Sequence, residues 1–238
     1  VKAATLGIAG IAPSCKVIPV RAFYYVQLSS PPAAPLPYST SAIFSDAFGW
    51  ASSVAHADLL SNSWGLPASL IVLLAGGTQP VDDAIQQAYT TGRNGKGLAM
   101  FFSSGNDNDS SGTIWPSNLS QTIAVNATSM CDQRKNPSDC SGENWGGDYG
   151  LNLDFSAPGV KITTTDMRGS YGFSSNDYTF TFNGTSASCP NAAAVGALLL
   201  SIRPDLNPED VRHIIAVTCD KVGGYAYEST LAYGAWSR

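Results

Sequence analysis

Of the 238 residues, 44% are hydrophobic and 13% charged, enough apolar material for one sizeable core and too little charge for an intrinsically disordered chain. The 13 Lys and Arg stand against 18 Asp and Glu, a net charge of −5 without a basic run, so no segment is suited to tracking nucleic-acid phosphates or anionic lipid. The longest apolar runs, Leu70–Ala75 and Ala192–Leu200, fall short of the roughly 20 residues that cross a bilayer, so neither nucleic acid nor a membrane is expected as a partner.

Apolar runs of strand length alternate with helical periodicity. That pattern predicts an α/β fold of three layers, a mostly parallel sheet flanked by helices. In chain order, a first strand is expected over Lys16–Phe23. Ser29–Tyr38, with Pro31, Pro32, Pro35 and Pro37, reads as an extended surface loop, because proline breaks helices and cannot donate to a central ladder. A helix over Ser41–Ala55 precedes a strand at Asp58–Ser63. A helix over Val81–Thr91 precedes strands at Leu98–Ser103, Thr122–Ala127 and Leu153–Ser156. Two helices follow, Ala187–Ser201, stopped before Pro204, and Pro208–Val217, for which Asn207 is the N-cap, Pro208 the first residue and Asp210 the third. No repeat or composition break divides residues 1-238, so one domain is expected.

Five cysteines leave at least one thiol without an intrachain partner. Cys131 and Cys140 flank a short polar segment and read either as a disulfide loop or as two free thiols. With no Cys-x-x-Cys and only His56 and His213 as histidines, no metal-binding motif is expected.

Phe182-Asn-Gly-Thr-Ser-Ala-Ser-Cys-Pro190 runs into a helix of small residues. Gly184 permits a sharp turn, after which Ser186 stands at a helix N-terminus, where free N–H groups favour developing negative charge. That setting suits a nucleophile, and it equally suits Thr185 or Ser186 as a simple N-cap. Two other predicted strands end in Ser103-Ser-Gly-Asn106 and Ser61-Asn-Ser-Trp-Gly65, at the carboxyl edge of a parallel sheet, where ligands bind.

Together with Gly7-Ile-Ala-Gly-Ile-Ala-Pro13, Phe155-Ser-Ala-Pro-Gly159 and Pro208-Glu-Asp-Val-Arg-His213, these segments in this order resemble the subtilisin-like serine proteases, closest to the kexin-like and related bacterial branches. The resemblance implies a serine endopeptidase in which Ser186 is the nucleophile and Asn106 the side-chain donor to the oxyanion, acting with the N–H of Ser186. It implies that Ser63, Trp64 and Gly65 on one side and Ser103, Ser104 and Gly105 on the other bind an extended protein or peptide substrate, with the pocket for the residue before the scissile bond between them. It further implies a secreted or periplasmic protein, a propeptide in many members, no cofactor for the chemistry, and structural calcium in some.

The sequence departs from the family at three points. The family's catalytic Asp strand end and His-Gly-Thr helix start are absent, and neither His56 nor His213 falls at a catalytic position. The expectation is a partial catalytic domain, incomplete at its N-terminus and nearly inactive as written; the alternative is a non-catalytic homologue that binds extended peptides. Leu66-Pro-Ala-Ser-Leu70 stands where kexin-like enzymes carry acids for basic side chains, so a preference for Arg or Lys is left to Asp107 and Asp109 beside Asn106, which read equally as part of a calcium site or as a solvated loop. Asn191 stands where the family often has His.

Overall fold

The computed structural model describes residues 8–26, 36–169 and 172–224. Four parallel strands form the central sheet in the order β3 (Leu59–Asn62), β4 (Ala99–Ser103), β5 (Ile123–Thr128), β6 (Phe155–Pro158). Helices α1 (Ser41–Ser53) and α3 (Gln79–Gly95) cover one face, and α4 (Thr185–Ile202) and α5 (Pro208–Thr218) the other. A single turn, α2 (Ala68–Ile71), lies between β3 and α3. Two antiparallel pairs stand outside this sheet: β1 (Tyr24–Val26) with β2 (Leu36–Tyr38), and β7 (Ile162–Thr165) with β8 (Tyr178–Phe182).

The three layers follow from the period of the central strand. Along β4, Ala99 and Phe101 face α4 and α5, packing with Val125, Ala192, Leu200 and Ile215, while Met100 and Phe102 face Phe48, Val81 and Ile85 on the other side. Every residue of β4 is buried, as expected for a strand covered on both faces. Burying each phenylalanine contributes about 2–3 kcal/mol by transfer from water. The small residues of α4 bring it close to the sheet: a Cβ on Gly196 would stand 2.7 Å from the Phe101 ring. By length and composition α4 could cross a membrane, but its contacts with the strands are those of a core helix.

The sequence places the four central strands and helices α1, α3, α4 and α5 correctly to within a few residues, and does not anticipate α2. Asn207 caps α5 as expected and shares a full capping box with Asp210. The backbone leaves the helical region at Gly92, Arg93 and Asn94, so regular helix in α3 ends near Thr91. Lys16–Phe23 is a correction. Residues 16–23 join no ladder, Pro19 removes a donor, Val17 is 89% exposed, and pairing begins only at Tyr24. In the proline-rich stretch, Leu36–Tyr38 forms an edge strand; residues 29–35 lie outside the described residues. The β7–β8 pair is not anticipated by the sequence reading.

Candidate active site

Gly184 is the N-cap of α4 and adopts φ 111°, a conformation that strains any residue with a side chain. Its N–H donates to the carbonyl of Gly159 at 3.0 Å, tying the turn to the end of the Ser-Ala-Pro-Gly segment. Thr185 and Ser186 are therefore the first two helical residues, and neither is the cap. The N–H of Ser186 lies among the first-turn donors that an α-helix leaves without an internal acceptor.

Pro190 stands inside α4 and has no N–H to give to the carbonyl four residues back. That carbonyl belongs to Ser186, and it accepts the Ser63 hydroxyl at 2.8 Å instead. The Ser186 hydroxyl points back to the Ser63 carbonyl across a long 3.5 Å contact. The end of β3 and the start of α4 are thus clasped at the half-buried Ser186.

Asn106 reaches the same helix start from β4. Its side-chain Oδ1 accepts the N–H of Thr185 at 2.9 Å and the Thr185 hydroxyl at 3.0 Å. A backbone N–H can only donate, which fixes the amide with its oxygen on the helix and its NH2 as the remaining donor. Asn106 is exposed, and its loop is held from below by Asp148, which is buried. The Asp148 carboxylate accepts the N–H groups of Asp107 and Asp109 at 2.8 and 3.0 Å, and its own N–H donates to the Gly105 carbonyl at 3.1 Å. Burial is the main cause that raises its pKa; the two hydrogen bonds oppose it, and the nearby charges of Asp107 and Asp109 add to it.

The two predicted substrate segments differ in what they leave free. Ser103 and Ser104 are buried, and the main chain of Ser104 donates to Val125 and accepts from Ile114. Gly105 donates to the Thr185 hydroxyl and accepts from Asp148. The Trp64 indole is stacked on Phe44 with centroids 4.1 Å apart and packs edge-on to Phe102 and Trp115. Among the described residues, however, no hydrogen bond engages the main chain of Trp64 or Gly65.

The exposed His56 follows α1 with φ 50°, and His213 lies on α5; the hydroxyl of Ser186 meets Ser63 rather than either. Cys189 is buried, which pushes its thiol up to about 11 and keeps it protonated at neutral pH. Among the described residues no group of three or more His, Cys, Asp or Glu could hold a metal ion. The Asp109 carboxylate is instead engaged by the N–H of Ser111. Cys131 and Cys140 form a disulfide, which closes a loop around the fully buried Lys135. The Lys135 ammonium donates to Asp139 at 3.2 Å and to the carbonyls of Asn136 and Glu143 at 2.9 and 2.8 Å.

Two contributors to the site, Asp148 and the Ser63 hydroxyl in its clasping role, do not follow from the sequence reading. Gly146-Gly-Asp148 carries no recognisable signal, whereas Pro190 four residues after Ser186 does announce a carbonyl in need of a donor.

The sequence profile of the subtilase family matches residues 2–234. The chain belongs to the subtilase family. This subtilase is 32% identical to a calcium-dependent protease of Trichormus variabilis over 98% of the chain and 36% of that relative. It is 30% identical to an extracellular protease of Xanthomonas campestris pv. campestris, over 92% of the chain and 34% of the relative. The chain thus spans about a third of the length of these curated relatives. Among solved structures, a protease of Pseudoalteromonas arctica superposes with a TM-score of 0.65 at 26% identity, covering 90% of this chain and 59% of that one. The subtilisin-like fold expected from the motifs is the fold observed.

Proposed function

We propose that this subtilase chain carries the nucleophile and oxyanion side of a serine endopeptidase. The observation that carries the reading is the meeting of Ser186, Asn106 and Ser63 at one helix N-terminus. The Ser186 hydroxyl attacks the carbonyl carbon of the scissile peptide bond, and its proton passes to a general base. The Asn106 NH2 and the N–H of Ser186 receive the negative charge on the carbonyl oxygen. Collapse of this intermediate breaks the C–N bond, the amine leaves with the proton, and water then hydrolyses the acyl-enzyme. Neither histidine meets Ser186, so in this reading the base and the acid that orients it come from residues outside this 238-residue chain.

The free main chain of Trp64 and Gly65 is suited to pair with an extended protein or peptide substrate, or with a propeptide, by adding a strand. Ser103, Ser104 and Gly105, whose backbone is largely committed, serve as a wall instead. The chemistry uses protein groups alone. Structural calcium is suggested by the name of the Trichormus relative, but among the described residues no group of three or more His, Cys, Asp or Glu is gathered to hold it. The disulfide and the extracellular Xanthomonas relative support a secreted or periplasmic location.

The test is cleavage of an unfolded protein such as casein by the protein expressed from its complete gene. Activity lost in S186A and retained in H56A and H213A supports the reading. The second reading, a peptide-binding homologue without catalysis, is favoured by the long contact from Ser186 to a carbonyl rather than a base. It predicts peptide binding with no turnover in wild type.

A further inference from the structure

The two walls of the proposed substrate cleft end in glycines, and both glycines face one side chain. A Cβ placed on Gly65 would stand 2.5 Å from Cδ1 and 2.7 Å from Cγ1 of Ile114; one on Gly105 would stand 3.0 Å from its Cγ2. Ile114 therefore fills the gap between Gly65 and Gly105, and it is half-buried there. Its position is fixed from both ends. Its N–H donates to the Ser104 carbonyl at 2.9 Å, and the next residue, Trp115, accepts the N–H of Leu66 at 2.8 Å. The Trp115 indole is anchored to Asp82 at 2.7 Å and packs on Trp64, so the segment carrying Ile114 has little room to withdraw.

Ser63, two residues before Gly65, is bonded to Ser186, and Gly105 is bonded to Thr185, so both walls run directly from the proposed nucleophile. A substrate side chain entering between them next to the scissile carbonyl meets the sec-butyl side chain of Ile114 in place of an open slot. We propose that Ile114 sets the size of the residue accepted before the scissile bond, restricting it to Gly, Ala or Ser. This rests on the endopeptidase reading of the site. The Asp148 carboxylate lies behind Gly105 with Oδ2 toward it, but it is buried, and its Oδ1 accepts the N–H groups of Asp107 and Asp109. Ile114 occupies the space through which an Arg or Lys side chain would reach it, so neither is selected there. A β-branched residue suits this role, because its stiff χ1 resists displacement by the substrate.

The experiment uses the protein expressed from its complete gene, with a peptide library varied at the residue before the cleaved bond. Matched peptidyl diphenyl phosphonates, in which the serine oxygen bonds to phosphorus and phenol leaves, give a second readout. Wild type is expected to cleave after Ala in preference to Phe and Leu and to react faster with the Ala phosphonate. I114G is expected to raise the Phe-to-Ala ratio of kcat/KM by about tenfold or more, as expected when several methylenes of pocket volume are opened. I114V, a milder change that keeps the packing, is expected to fall between them. Wild type that prefers Phe or Leu, with a ratio unmoved in I114G and I114V, overturns the proposal and leaves the endopeptidase reading standing. Failure of every peptide to be cleaved and of every phosphonate to label Ser186 overturns the endopeptidase reading and this proposal with it.

Discussion

Ser63 donates its hydroxyl to the main-chain carbonyl of Ser186 at 2.8 Å, in the place of the helical N–H that Pro190 cannot supply. A proline inside a helix ordinarily leaves a carbonyl unpaired. Here the missing bond becomes the link between the end of β3 and the residue proposed to react.

The link is testable by a double-mutant cycle. S63A should cost about 1 kcal/mol in the Pro190 background, because it leaves the Ser186 carbonyl without its donor. In P190A, which restores an N–H to the same carbonyl, S63A should cost clearly less. Chemical denaturation of the four proteins measures the coupling, and additivity would mean that the Ser63 bond does not substitute for the helical one.

Asp148 is expected to act through Asn106. D148A releases the N–H groups of Asp107 and Asp109, just beyond Asn106, while D148N keeps an oxygen to accept them. In the active protein D148A should lower kcat with KM little changed, approaching N106A, for which the relevant scale is the loss of about 10²–10³-fold known for the corresponding donor in a subtilisin itself. D148N should recover most of the activity. Steady-state kinetics decide it, and equal losses in D148N and D148A would show that the carboxylate's acceptor role is not the cause.

Asp154 gives stability a pH dependence. Burial raises its carboxyl to about 6, against the opposing charge of Arg212 at 3.5 Å and a hydrogen bond from the N–H of Ala124. A carboxyl whose folded pKa lies above its unfolded value binds its proton more tightly in the folded state. Its contribution is therefore present at low pH and is lost as pH rises from about 4 to 6. D154N should flatten that part of the stability curve, which thermal melts from acid to neutral pH would reveal; parallel curves for both proteins would contradict it.

The loop around Lys135 should depend on its bridge. Opening the Cys131–Cys140 disulfide, with its sequence separation of 9, should cost about 2–3 kcal/mol by loop entropy. K135M should cost about 3–5 kcal/mol, since it strands the buried Asp139 carboxylate without its cation. Denaturant midpoints of C131A/C140A and K135M measure both, and losses under about 1 kcal/mol would show that the loop is dispensable.

The central strands are legible in the sequence because burial on both faces leaves nearly continuous apolar runs, as in Ala99-Met-Phe-Phe102. The sharp turn into α4 is legible because Gly184 takes a positive φ that a residue with a side chain resists. Lys16–Phe23 misleads because an apolar run predicts burial without naming a neighbour. The roles of Asp148, Lys135 and Ile114 depend on contacts over long sequence separations or on how a loop folds back, and local composition does not record these.

The most direct measurement is mass spectrometry of the protein, expressed from its complete gene, after reaction with diisopropyl fluorophosphate. A nucleophilic Ser186 held beside the Asn106 amide should yield a single phosphoryl adduct on the peptide that contains Ser186, lost in S186A and strongly slowed in N106A. An unmodified Ser186 in a folded protein, or an adduct on another serine, would contradict that role.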